Sequence, residues 1–130
     1  MLQANYKIVQ ETDTKAILEL YQQAGWWQSE SSDNDLDIIA KIVANSFCFV
    51  IAILDGKIVG MGRAISDGIS DAYIQDVTVQ KEYRGKGIGK GIMRTLIKFL
   101  KENNLKWIGL ISEPGYESFY QGLGFKVMTS

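Results

Sequence analysis

Between residues 72 and 100 the sequence passes from an apolar run, through three alternating glycines, into a long helical pattern. The glycines stand in Arg84-Gly85-Lys86-Gly87-Ile88-Gly89. Spaced this closely, they let the backbone approach a ligand with no Cβ atoms in the way. Downstream, Ile88, Ile92, Leu96 and Leu100 recur at helical spacing while Lys90, Arg94, Lys98 and Lys101 carry charge between them. One face of that helix packs and the other is solvated. A strand, a glycine turn and a helix start together present free amides at the positive end of a helix dipole, which attracts anions. The unit reads as a pyrophosphate cradle, with a sharp turn that holds no ligand as the plainer alternative.

Two familiar phosphate loops do not fit. A P-loop needs four residues between its first glycine and a Gly-Lys followed by Ser or Thr, whereas Gly91 follows Gly89-Lys90 here. The dinucleotide fingerprint GxGxxG fails because its third glycine falls on Lys90 or Ile92. The spacing that does fit is Arg-x-x-Gly-x-Gly, from Arg84 to Gly89. It resembles the acyl-CoA pyrophosphate loop of the GNAT superfamily of N-acyltransferases. A second block, Ser118-Phe119-Tyr120-Gln121-Gly122-Leu123-Gly124-Phe125, resembles that superfamily's FYxxxGF signature. The two blocks stand in the right order, and the resemblance runs over nearly the whole chain.

The resemblance implies an acetyl-CoA-dependent N-acetyltransferase that moves an acetyl group directly to a primary amine of a small acceptor, with no metal. Val77, Thr78 and Val79 match the splayed strand whose inner edge stays open, with the Val77 amide as oxyanion donor. The amides of Arg84, Gly85, Lys86, Gly87, Ile88 and Gly89, with Lys90 at the helix start, match the pyrophosphate site. Tyr120 matches the tyrosine beside the CoA sulfur, where a phenol can donate to the leaving thiolate; the alternatives are a core tyrosine, or Tyr116 one turn earlier in its place. For the general base the choice stays open among Asp76, Glu113 and water. Asp76 is the carboxylate nearest the acetyl end, but partnership with Arg63 would make it structural. Glu113 stands where the family often has asparagine. Trp26 and Trp27 match the acceptor side, where an aromatic wall suits a cation, and Glu30, Asp33, Asp35 and Asp37 follow them. An aromatic or polycationic amine is therefore the expected acceptor. The alternative has one indole in the core and the acids capping a helix. A non-catalytic acyl-CoA-binding module of the same fold is the second reading of the whole.

Charge distribution agrees with a polyanionic ligand. Residues 81–106 hold eight of the 14 basic residues and two of the 15 acids, an excess of six positive charges. The remainder is left with an excess of seven negative charges. Nucleic acid is disfavoured as a partner, since no aromatic residues interleave with this basic stretch and the rest is acidic. The absence of histidine removes His-based triads and most zinc sites. The single cysteine, Cys48, sits in an apolar run and reads as core in a reducing, cytoplasmic setting. No stretch reaches the ~20 apolar residues of a membrane span, and no signal-peptide pattern opens the chain.

Along the chain, strands are predicted at 6–9, 47–54, 57–65, 73–79, 106–111 and 125–128, and helices from 12 or 13 to 24, near 35–43, from 88 and over 114–121. Asp55-Gly56 marks a hairpin, and counting across the next turn puts Arg63 opposite Gln75 or Asp76, an expected cross-strand pair. A meander followed by β-α-β-α-β makes residues 1–130 one α+β domain. The resemblance adds a mostly antiparallel sheet with splayed middle strands, about six strands and about four helices. Only five residues follow Phe125, too few for a further hairpin at ~3.3 Å per residue. The edge at 107–111 must then pair with 125–128 or be covered by a second subunit, and a homodimer contact is predicted there.

Overall fold

The run at 48–54 shows no polar alternation, as suits a strand covered on both faces. In the computed structural model, which describes residues 3–28 and 32–128, that run becomes an inner strand. The order of elements is β1 (Asn5–Ile8), α1 (Thr14–Gln23), α2 (Asp33–Asn45), β2 (Cys48–Leu54), β3 (Lys57–Ser66), β4 (Asp71–Val79), a 3₁₀ turn (Lys81–Tyr83), α3 (Ile88–Glu102), β5 (Trp107–Gly109) and α4 (Glu117–Gln121). The sheet runs β1-β2-β3-β4-β5, antiparallel except for the parallel β4–β5 pair. This is the expected mixed, mostly antiparallel architecture, with five strands rather than about six. Among the described residues no helix is long and apolar enough to cross a membrane.

Alternate side chains of β2 serve two cores. Cys48, Val50, Ala52 and Leu54 pack with α3, while Phe49 and Ile51 pack with α1 and α2. Ile92, Leu96 and Leu100 of α3 are fully buried, on the stripe expected from their spacing. The fit is close at Gly62, where an added Cβ would lie 2.7 Å from Ile92 Cγ2 and 3.0 Å from Val77 Cγ2. Local chemistry sets the helix starts: the Asp13 carboxylate accepts from the Lys15 and Ala16 amides, and Ser32 Oγ from the Asp35 amide. Asp33 and Asp35 occupy the first turn of α2, where the dipole favours acids.

The predicted Arg63–Asp76 ion pair is present at 2.7 Å. Arg63 itself pairs in register with Gln75, and the β3–β4 register shifts between Met61 and Arg63. The extra residue makes a β-bulge, with Asp76 in the left-handed region at φ 59°.

The last part of the chain departs from expectation. β5 is limited to Trp107–Gly109, and 125–128 form no strand. Instead the Phe125 and Leu123 amides both donate to the Tyr120 carbonyl, at 3.1 and 3.0 Å, and the Gly124 amide donates to Gln121. These bonds cap α4 and fold Phe125 back, with its ring 6.2 Å from that of Tyr120. The capping turn takes the Gly-Phe pair that would otherwise have opened a strand.

Candidate active site

β5 pairs with β4 only from Asp71–Trp107 to Tyr73–Gly109. Beyond Tyr73 the strands part, so the rest of β4 is unpaired on that side. Into the gap open the glycine turn and the start of α3, forming a cleft of about 600 Å³. Val77, Thr78 and Val79 line one wall, Gly85, Gly87, Gly89 and Lys90 a second, and Tyr120 a third.

The turn has the geometry its glycines predict. Gly87 is the N-cap of α3 at φ 84°, a conformation a side chain rarely adopts. Among the described residues the amides from Gly85 to Lys90 have no protein acceptor, so six donors cluster at one helix start. The Arg84 amide differs, donating at 3.4 Å to the Lys81 carbonyl. Its guanidinium Nε donates to the Val79 carbonyl at 2.9 Å, so this side chain braces the end of β4 against the turn. Lys86 turns its ammonium over the Tyr83 ring, 5.7 Å from the centroid, and is not part of the cleft wall.

Tyr120 projects from α4 into the cleft with its ring edge-on to Phe119 at 5.1 Å. Burial raises its phenol above the ordinary range, and Glu113 and then Tyr116, both on the same wall, add to this. The phenol therefore stays protonated, as a donor must. At the far end Trp26, 41% exposed, stands 6.2 Å from the Tyr21 ring and lines the cleft. Trp27, half-buried, packs instead against the core that α1 and α2 share, 5.9 Å from the same tyrosine ring, and does not line the cleft. The two indoles thus do not form one wall. Asp33, Asp35 and Asp37 lie on α2, away from the cleft, and Glu30 lies outside the described residues.

A family model described as "Acetyltransferase (GNAT) family" matches residues 6–125. The chain belongs to the GNAT acetyltransferase family. The "Uncharacterized N-acetyltransferase ycf52-like" of Prochlorococcus marinus is 30% identical over 121 residues, which is 90% of this chain and 64% of that protein. The matched segment amounts to 27% to 64% of the length of several curated relatives. Among solved structures, a Trypanosoma brucei acetyltransferase aligns over 98% of this chain and 96% of its own, with a TM-score of 0.82 and 23% identity. The aminoglycoside N-acetyltransferase AAC(6')-Iy, in complex with CoA, aligns over 100% and 92% with a TM-score of 0.78 and 17% identity. These two likenesses establish the GNAT fold.

Within the GNAT frame the cleft also holds residues that sequence reasoning passed over. Tyr83 and Gln23 line it, and the Gln23 side chain accepts from the Lys81 amide at 3.2 Å, tying α1 to the 3₁₀ turn. The Tyr21 hydroxyl donates to Asp76 Oδ2 at 2.7 Å, the same oxygen that takes the Arg63 Nε bond. Asp76 is accordingly held by two protein donors at the edge of the cleft.

Proposed function

We propose that this GNAT chain transfers an acetyl group from acetyl-CoA directly to the primary amine of a small acceptor. The observation that carries the reading is the juxtaposition of an unpaired β4 edge with six unpartnered amides at a helix start. Each half suits one end of an acyl-CoA: the amides from Gly85 to Lys90 a pyrophosphate, and the strand edge an extended amide-bearing arm and its thioester carbonyl. The CoA-bound aminoglycoside acetyltransferase of the same fold supports this choice of co-substrate.

Acetyl-CoA supplies an activated acyl group; the residues of the chain do the rest. The Val77 amide polarises the carbonyl as oxyanion donor, and Tyr120 gives its phenolic proton, or a hydrogen bond, to the departing sulfur. Because the Tyr120 phenol is raised above its ordinary value while a thiol titrates near ~8.5, hydrogen bonding to the developing thiolate is the larger part of that role. Trp26 and Tyr116 offer aromatic faces to the acceptor, and Asp76 and Glu113 lie close enough to favour a cationic one. With Asp76 held by Tyr21 and Arg63, water or Glu113 is the better placed proton acceptor.

The deciding experiment incubates the protein with acetyl-CoA and a panel of amines and follows the released thiol. Turnover with any amine supports the reading. Tight CoA binding with no thiol release across the panel would instead indicate a binding module. The single cysteine will not interfere. Cys48 is 1% exposed and burial pushes its thiol from 9.0 up to about 12. We expect no reaction with thiol reagents in the native protein, and full reaction once denaturant unfolds it. The raised value also fixes the sign of a pH effect: its stabilising contribution is present below pH 9 and declines as pH rises from there towards 12.

The reading includes a homodimer contact at β5. Among the described residues this strand has no neighbour beyond β4. Ile111, Val127 and Met128 are exposed at 98%, 64% and 78%, beside a groove of about 810 Å³. Light scattering is expected to give the mass of two chains; a 14.6 kDa particle at high micromolar concentration would reject the contact.

A further inference from the structure

We propose that Tyr21 is a positioning residue for acetyl transfer, holding the β4 bulge through its hydroxyl and the Trp26 wall through its ring; the inference rests on the acetyltransferase reading above. Three elements meet at one atom. Asp76 Oδ2 accepts from Tyr21 Oη of α1 and from Arg63 Nε of β3, each at 2.7 Å, while Asp76 itself is the bulged residue of β4. An aspartate at φ 59° needs its surroundings to hold it there, and these two bonds do so.

The bulge decides which way β4 faces. Before it, Ala72 and Ile74 enter the α3 core; after it, Val77 and Val79 do. Without the extra residue the parity would carry Asp76 and Thr78 inward, and the Val77 amide would change direction with them. The orientation of the amide assigned to the acyl carbonyl therefore depends on the bonds that hold Asp76.

Core packing does not require the hydroxyl. Tyr21 is 4% exposed among Ile17, Leu18, Ile39 and Met61, and a phenylalanine would fill that space equally. A buried hydroxyl is retained where it has a partner to hold. Burial and the Asp76 carboxylate both raise this phenol well above its ordinary value, so it donates throughout the working pH range. The same ring touches Trp26 edge-on at 6.2 Å, and the Trp26 amide donates to the Tyr21 carbonyl at 3.0 Å. The acceptor wall and the acyl-facing strand are thus referenced to one side chain.

The test compares wild type with Tyr21→Phe in the full chain. We expect kcat to fall about 10- to 100-fold, with the CoA dissociation constant within about twofold of wild type. Amide NMR signals of Asp76, Val77 and Thr78 should move in the ligand-free protein while those of Gly85 to Gly89 stay in place. Arg63→Lys, which keeps the charge but loses the Nε donor, should lower kcat in the same direction. In an Asp76→Asn background the Tyr21→Phe effect should shrink, because both act through one contact. An unchanged kcat in Tyr21→Phe, or a fall matched by equal losses of CoA affinity and folded fraction, overturns the proposal. A wild type that binds no CoA and releases no thiol overturns the acetyltransferase reading itself and this inference with it. The first failure lies in the difference between the proteins, the second in the wild type alone.

Discussion

Gly89→Val will leave the fold standing and abolish coenzyme A binding. Gly89 sits in the first turn of α3, without the left-handed backbone of Gly85 and Gly87. A Cβ there would lie 3.8 Å from Val79 Cγ2 and 4.0 Å from Phe119 Cζ, both ordinary contacts. Valine is no worse a helix former than the glycine it replaces. Yet the added carbons would stand in the mouth of the amide cluster, where a pyrophosphate must come within hydrogen-bonding distance of main chain. Titration calorimetry should show affinity weakened at least ~100-fold, equivalent to about 2.7 kcal/mol, with circular dichroism unchanged. Gly87→Val is a poorer test, because φ 84° would strain the N-cap as well. Retained affinity in Gly89→Val would remove the cradle from the mechanism, and with it the choice of co-substrate.

Tyr120→Phe should separate binding from chemistry. The ring contacts with Phe119 and Phe125 survive the change, so the dissociation constant for CoA should scarcely move. The phenol matters when negative charge reaches the sulfur, and general acid assistance is typically worth ~10²–10⁴-fold. We expect kcat to fall within that range with kcat/KM following it. The direction of the pKa shift adds a second readout. Because the folded phenol is raised above 10.0, Tyr120 remains protonated up to and beyond that pH. Any alkaline loss of wild-type activity from this group should therefore fall at higher pH than an ordinary phenol would give. A wild-type rate in the phenylalanine variant, with chemistry shown to be rate-limiting, would leave the thiolate to water.

What could be read beforehand was whatever is local. The glycine turn lies in consecutive residues, and α3 advertises itself through period and charge, so the turn and the helix both emerged at the expected positions. The Arg63–Asp76 pair followed from counting across one turn. The bulge was missed although it left a trace: the buried parity of Ala72 and Ile74 changes to that of Val77 and Val79 across the polar pair Gln75-Asp76. Strict alternation would have made Val77 face the wrong core. The role of the Tyr21 hydroxyl was hidden because a tyrosine on an apolar helix face satisfies the helical pattern whatever its hydroxyl bonds to, and Asp76 is 55 positions away. Trp26 and Trp27 could not be apportioned either, since adjacent residues leaving a helix diverge by an angle that only the packing of α1 sets. The strand expected at 125–128 failed for a different reason. Gly124-Phe125 serves equally as a strand opening or a helix cap, and the free Tyr120 carbonyl of α4 decided between them.

The short β4–β5 seam bears on how evenly the molecule holds together. From residue 110 to 128 no residue is buried, whereas α3 contributes five buried residues. One wall of the cleft, including Tyr120, is therefore mounted on a part of the chain with little burial to resist local opening. Anything that bridges β4 and α4 must contribute part of its binding energy to ordering that part. A second subunit seated on β5 would order the same residues. Occupation of the cleft and association of two chains would then draw on one opening equilibrium, and each would strengthen the other by the same factor.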